Sequence, residues 1–241
     1  MRVIALDTTT RAGSVALIED GRVVDERAGD GARTHAQRLP AEITAMVTAH
    51  GVTLADVDLY AVASGPGSFT GLRIGIATIQ GLALVHRRKA VAIPALEALA
   101  HAAGADLAPG TLIAAWMDAH RREVVAAASR ATSGAAFCRA RFAGVEEPTA
   151  GDPASILARW RDRFGALPTV YVGDGAVIYE DAIAQEVPGA TILEAPLLAG
   201  AIGRLAAGRR DEAVAPGDMR ALYVRRPDVE LERERRALNP R

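Results

Sequence analysis

The twelve residues SGPGSFTGLRIG, Ser64 to Gly75, carry four glycines, one proline and one arginine between two apolar runs. Such a composition lets backbone approach a ligand or another backbone closely. Phosphate is the obvious ligand for a loop of this kind. A P-loop, however, meets the terminal phosphate with the lysine of G-x-x-x-x-G-K-[ST], and no lysine is present here. The dinucleotide fingerprint G-x-G-x-x-G fits Gly65 and Gly67, but Thr70 stands at the third glycine position and Pro66 has no amide hydrogen. Ser68 lies in GPGSFTG rather than in the G-x-S-x-G of a nucleophile elbow. The histidines His35, His50, His86, His101 and His120 are never four residues apart, so no pair shares a helix face as zinc ligands do. No metal site is expected. Cys138 is the only cysteine, which excludes internal disulfides and agrees with a reducing compartment. Lys89, the only lysine, sits in VHRRKAVAIP and reads as a solvated cation at a helix end.

The elements around the glycine stretch alternate. VIALDTT, GSVALIED and GRVVDERAG read as an antiparallel meander of three short strands. Leu39, Ile43, Met46 and Val47 recur at helical spacing, with Pro40 at a first turn or kink and Gly51 as the stop. LYAVASG reads as a buried strand, Ser68 as an N-cap and Phe69 to Val85 as a helix, followed by the strand AVAIPA and the helix ALEALAHAAG. The order βββαβαβα implies a mixed sheet with helices on its faces. GADLAPG, Gly104 to Gly110, is turn-rich and marks a boundary. Beyond it TLIAAWMDAH, EVVAAASRA and AAFCRARFAG read as strands, PASILARWRDRFG as a helix, TVYVGDGA as a strand and LLAGAIGRLAAG as a last helix. The order partly repeats the first half without a strict sequence repeat, which raises a structural duplication. Three units are expected, at 1–105, 106–194 and 195–241, the last ending in a solvated tail of mixed charge.

The helix from Phe69 to Val85 is the unusual one. Gly71 and Gly75 fall within it, and each costs about 1 kcal/mol relative to alanine at an exposed site. Gly71, Gly75 and Thr78 share one face, with Gly81 on its flank, forming a groove of small residues. Phe69, Leu72, Ile76, Ile79 and Ala83 make an adjoining apolar face, Ile74, Leu82 and Val85 extend it, and only Arg73 and Gln80 leave a polar strip. A helix apolar on nearly all sides needs two burial partners. It is either a central helix between domains or a helix that docks on another subunit.

The 241 residues are half hydrophobic and carry a formal net charge of −1, too little basic excess for a chain that holds nucleic acid alone, unless a local patch or a partner supplies it. Aromatic residues, at 4%, are too few for a base-stacking surface. MRVIALDTTT reaches Asp7 too soon for a signal-peptide core, and no stretch approaches the roughly 18 apolar residues of a membrane span. A soluble, cytoplasmic protein is expected.

GPGSFTGLRIG resembles the signature of the bacterial TsaB family, also called YeaZ. IALDTTTRAGSVAL is similar to that family's opening strand pair, THAQRLP to its first helix, MDAHRREVV to its second-domain hairpin and LYVRRP to its C-terminal motif. The sequence departs from the pattern at His120, where arginine is usual, at Val125, where tyrosine is common, and at the alanine before Leu222. The resemblance implies two RNase H-like subdomains of the actin, hexokinase and Hsp70 ATPase fold, the second degenerate. It also implies a noncatalytic scaffold subunit that pairs with TsaD and, with it, TsaE, or with itself when TsaD is absent. TsaD transfers a threonylcarbamoyl group from its adenylate to the adenosine beside the anticodon of ANN-decoding tRNAs, so tRNA is reached only through the complex. The expected partner face comprises Leu39, Ile43, Met46, Phe69, Gly71, Leu72, Arg73, Gly75, Ile76 and Ile79.

Working ATPases of that fold follow a hairpin aspartate with glycine and small hydroxyl residues, so that phosphate and magnesium can approach the backbone. Here the first hairpin reads Asp7-Thr8-Thr9-Thr10, without the glycine, and the second has Asp118 followed by Ala119, His120, Arg121 and Arg122. Asp7, Thr8, Thr9 and Asp118 are therefore candidates for residual nucleotide contact only, ATP or ADP with magnesium belonging to the partner complex. Two other classes remain open: an ATP-dependent phosphotransferase using Asp7 and Asp118, and a self-standing RNA-binding module.

Overall fold

The computed structural model describes residues 1–224. The charged tail, with Arg225, Arg226 and Pro227 of the C-terminal motif, lies outside the described residues. Period-two alternation sets the first sheet. In β1 (Arg2–Asp7), Val3 and Ala5 point into one core cluster while Ile4 and Leu6 point into another on the opposite face. β2 (Ser14–Glu19) and β3 (Arg22–Ala28) complete an antiparallel meander. α1 (His35–Ala49) opens at Thr34, whose backbone N–H donates to Gln37 Oε1 at 3.0 Å, and Pro40 lies inside it. β4 (Leu59–Gly65) pairs parallel with β1. α2 (Phe69–Val85) is capped by Ser68, whose Oγ accepts the Gly71 N–H at 3.2 Å. β5 (Lys89–Pro94) pairs parallel with β4, and α3 (Ala95–Ala103) follows.

The second half is built the same way. β6 (Leu112–Asp118), β7 (Val124–Ala131) and β8 (Phe142–Gly151) form an antiparallel meander, α4 (Pro153–Phe164) follows, and β9 (Val170–Val172) returns parallel to β6. α5 (Asp174–Ile178), α6 (Glu180–Glu186) and β10 (Thr191–Leu193), which pairs parallel with β9, complete the unit before α7 (Ala199–Ala207). The sheet orders are β3-β2-β1-β4-β5 and β8-β7-β6-β9-β10, with matching senses throughout. This is one RNase H-like unit used twice, the fold the resemblance implied.

Five layers result. α1 and α2 cover the outer face of the first sheet, and α4 and α6 that of the second around Trp116 and Trp160. α3 and α7 fill the space between the two sheets, α7 returning from the end of the chain to lie on β1, β2 and β4.

Several local expectations need correction. The strand expected over AAFCRARFAG begins only at Phe142, because Arg139–Arg141 form a 3-10 turn. There Arg141 is buried and donates to the carbonyl of Gly104 at 3.0 Å. TVYVGDGA is strand only to Val172, since Gly173 turns the chain into α5. β10, α5 and α6 are too short for periodicity to show them in the sequence.

His101 on α3 is 1% exposed between the rings of Phe137 and Phe142, with Glu97 3.9 Å away. Burial pushes its pKa down to about 4, Glu97 opposes that shift, and Arg209 and Arg141 add to it. Between pH 6.5 and 4 the unfolded chain therefore takes up a proton that the folded chain refuses. Stability falls as pH drops through that window, by up to about 3 kcal/mol from this group. Urea denaturation at pH 7 and pH 4.5 should show His101→Met losing less stability on acidification than the parent; equal losses would remove His101 from the account.

Candidate functional site

The strand ends that carry the two hairpin turns meet across a cleft of about 840 Å³. Thr9, Thr10 and Arg11 of the β1–β2 turn face Met117 to His120 of the β6–β7 turn. The loop from β4 into α2, Pro66 to Gly71, faces Asp174 at the corresponding start of α5. The cleft is thus lined by two pairs of equivalent loops, closed on one side by Arg33, Thr34 and His35 at the start of α1 and by Leu222, Tyr223 and Val224. Of the four candidates for nucleotide contact, Asp118 and Thr9 line the cleft, and Asp7 and Thr8 do not.

Asp7 is 3% exposed and its Oδ1 accepts both the backbone N–H of Thr9 (2.9 Å) and its hydroxyl (2.7 Å). Burial raises its pKa, against the Thr9 hydrogen bonds and the nearby His35 and Arg38. Thr8 is fully buried, with an Oγ1 that has no hydrogen-bond partner among the described residues. The turn is held from α1 by Arg38, 1% exposed, which donates to the Ala12 carbonyl, to Glu42 Oε2 (2.5 Å) and to His35 Nδ1 (2.7 Å). Because a guanidinium only donates, His35 Nδ1 must accept, and Nε2–H donates to the Thr10 carbonyl at 3.0 Å. His35 is therefore the neutral tautomer, in keeping with a pKa lowered by burial and by Arg38.

Asp118 is spent in its own turn. Its carboxylate accepts the His120 N–H at 3.1 Å and pairs with His120 Nδ1 at 2.9 Å. His120, Arg121 and Arg122 all have positive φ, near +60°, a run that is strained for residues with side chains. Asp174, which the sequence reading passed over, accepts the N–H groups of Asp118 (3.0 Å) and Gly175 (2.8 Å) and ties the two loops together. Its signal was the GDG that ends an apolar run, an Asx position at a helix start. The group implied by the fold, a magnesium–nucleotide, does not fit these residues: one hairpin aspartate is sealed onto Thr9 and the other faces an imidazole.

The structure also reassigns the expected partner face. Leu39, Ile43, Met46, Leu72, Ile76 and Ile79 are buried in the chain's own core, so none can be offered to another subunit. Gly71 and Gly75 face inward as well. A Cβ on Gly71 would stand 2.1 Å from the Thr8 carbonyl oxygen, and one on Gly75 2.2 Å from Thr8 Oγ1. The small residues let α2 sit on the β1 end, not on a foreign backbone. Gly173 and Gly175 do the same for α5, against Trp116 and Met117. The second burial partner of α2 is largely the chain's own C-terminal segment: Gln80 Nε2 donates to the Pro216 carbonyl (2.9 Å), and the segment is tied to β4 beside it by Leu222 N–H donating to Ser64 O (2.7 Å). Tyr223 stacks on Phe69, with ring centroids 5.2 Å apart.

What stays open is the outward side of α1 and α2, which pack together. On α1 the exposed residues are Ala36, Gln37, Pro40, Ala41, Thr44, Ala45, Thr48 and Ala49, none charged. On α2 they are Thr70, Arg73, Ala77, Gly81, Leu84 and Val85, the last two 71% and 75% exposed. Arg73 is the single charge and lies over the Phe69 ring at 3.8 Å. Of the expected face, only Phe69 and Arg73 remain accessible.

The profile of the family described as "TsaD: tRNA N6-adenosine threonylcarbamoyltransferase" matches residues 24–138. The tRNA threonylcarbamoyladenosine biosynthesis protein TsaB of Escherichia coli (strain K12) is 41% identical over 103 residues, 43% of this chain and 44% of that protein. Matches to the curated TsaB proteins thus span about half of their length. An uncharacterized protein of Mycobacterium tuberculosis (strain ATCC 25618 / H37Rv) is 33% identical over 197 residues, 70% of this chain and 90% of its own. The crystal structure of a Pseudomonas aeruginosa protein described as similar to peptidase YeaZ superposes with a TM-score of 0.73 at 29% identity, covering 93% of this chain and 99% of that one.

Proposed function

The chain belongs to the TsaB (YeaZ) family, and from that premise we propose that it is a noncatalytic subunit of the tRNA threonylcarbamoyladenosine machinery. In this reading it pairs with a TsaD-type threonylcarbamoyltransferase and, through the pair, with the ATPase TsaE, in the cytoplasm; a homodimer forms through the same face when TsaD is missing. The observation that carries the reading is the nearly uncharged outward surface of α1 and α2, on which fourteen exposed residues include one charge. In a chain with 24% charged residues, so bare a surface of helix is poorly suited to water and well suited to a packed interface. Among the described residues no helix is long and apolar enough to cross a membrane, so a bilayer-spanning role does not compete for that face.

A phosphotransferase acting alone is disfavoured by the two hairpin aspartates, each engaged within its own turn. ATP or ADP and magnesium are assigned to the partner complex. Titration of the purified chain with Mg-ATP is expected to show no turnover above the buffer rate, and steady hydrolysis by the isolated chain would instead establish the enzyme reading.

A further inference from the structure

At the opposite end of the first sheet from the cleft, where β4 and β5 begin, lies a second cavity, of about 300 Å³. Arg87, Arg88, Lys89 and Arg210 line it, with Asp58 as the only carboxylate to do so among the described residues. Two separate pieces of chain build this convergence. The first three cations follow the end of α2, and Arg210 is brought alongside by the bridge between Ala90 and Val214, whose N–H groups donate to each other's carbonyls at 3.1 and 2.9 Å. Asp58 is already committed, accepting the Arg2 backbone N–H at 2.8 Å, and the nearby Glu212 pairs with Arg139.

Two details separate this cluster from an ordinary solvated helix end. α2 closes with Arg87 N–H on the Leu84 carbonyl (3.2 Å) and Arg88 N–H on the Ala83 carbonyl (2.8 Å), a pattern that puts Arg87 in the left-handed region at φ +54°. Glycine is the favoured residue there, and a side chain costs about 1 kcal/mol. The arginine is held in spite of that. Arg88, half-buried, donates to the Ala55 carbonyl at 3.2 Å, while its buried Nε has no hydrogen-bond partner among the described residues. Four cations gathered on a small cavity in a chain of net charge −1 raise the local potential and offer a phosphate several charge-assisted donors, in a space large enough to admit it.

We propose that this cavity holds a phosphate of an RNA backbone, giving the chain a direct, sequence-independent grip on the RNA its complex modifies. The anion chemistry stands on the cluster; the choice of RNA as its carrier rests on the tRNA-modification reading. Phosphate contacts of this kind position an RNA without reading its bases.

The test uses the full chain, a fluorescently labelled tRNA transcript and, separately, pyrophosphate. Arg87→Gly relieves the left-handed strain, so it should fold at least as stably as the parent, and Lys89→Ala and Arg210→Ala alter exposed side chains. The triple variant is expected to bind tRNA at least tenfold more weakly at about 100 mM salt. It should also lower the slope of log affinity against log salt by about 0.7–0.9, the value for one lost phosphate contact. Equal tRNA binding by parent and triple variant overturns the proposal, as does a parent that binds pyrophosphate through these residues but not tRNA. Copurification with the TsaD-type partner is scored on the same variants. If it persists while tRNA binding is unchanged, the RNA site fails and the family reading stands. If tRNA binding drops but no partner copurifies with the parent, the site stands and the subunit reading fails.

Discussion

Gly71→Ala should lower the melting temperature of the isolated chain by about 6–12 °C, and Gly75→Leu by more. In an exposed helix the first change would stabilise, since alanine outranks glycine by about 1 kcal/mol. Here the new methyl group would meet the Thr8 carbonyl oxygen at 2.1 Å, a backbone atom at the end of β1 that has nowhere to go. Leucine at position 75 would drive into Thr8 Oγ1 and Cγ2, at 2.2 and 3.0 Å from its first carbon, on a side chain with no exposed surface. Overpacking of this kind costs about 3 kcal/mol, and each kcal/mol shifts the midpoint of a domain of this size by about 2–4 °C. Gly81→Ala is the internal control: nothing lies within 4 Å of its added carbon, so it should raise the midpoint by a degree or more. Thermal melts of the three variants decide the matter, and a Gly71→Ala melt at or above the parent would show that α2 is not seated on Thr8.

Ala77→Arg should do the reverse, leaving the fold alone and abolishing assembly. Ala77 is exposed in the middle of α2, between Arg73 and Gly81, so a long cation there meets only water in the free chain. In a packed helix interface the same guanidinium would be desolvated opposite small apolar residues and beside the existing charge of Arg73. The penalty is about 3 kcal/mol, roughly a hundredfold in dissociation constant. Copurification with the TsaD-type partner and sedimentation of the chain alone are the measurements, with the melting temperature expected within about 1 °C of the parent. Wild-type assembly by this variant would move the interface off α1 and α2. The glycine and alanine variants thus separate two properties of one helix, an inward face that seats it and an outward face that offers it.

The sequence by itself was sufficient wherever the cause is local. The short apolar runs in VIALDTT and LYAVASG placed β1 and β4, Ser68 capped α2, Gly51 stopped α1, and the repeated order of elements already pointed to the duplicated sheet. Each of these depends on neighbours a few residues away, and side-chain period and capping chemistry report such neighbours directly. The purpose of Gly71 and Gly75 was not legible, because the atoms that exclude their side chains belong to Thr8, just past the end of β1, brought there only when β4 pairs parallel with β1. Apolar periodicity marked Leu39 and Ile43 as a stripe on one helix and Ile76 as part of a stripe on the next but could not say what would cover them; the fold buried both stripes and left the alanines and threonines of α1 outside. Asp174, buried Arg38 and the cavity at Lys89 share that reason, since hydrogen bonds and charge clusters join positions far apart in the chain. Local hydrogen bonding and hydrophobic period are written residue by residue, whereas exposure is a property of the whole packed chain, and the face left over for a partner is known only after the core has chosen its own.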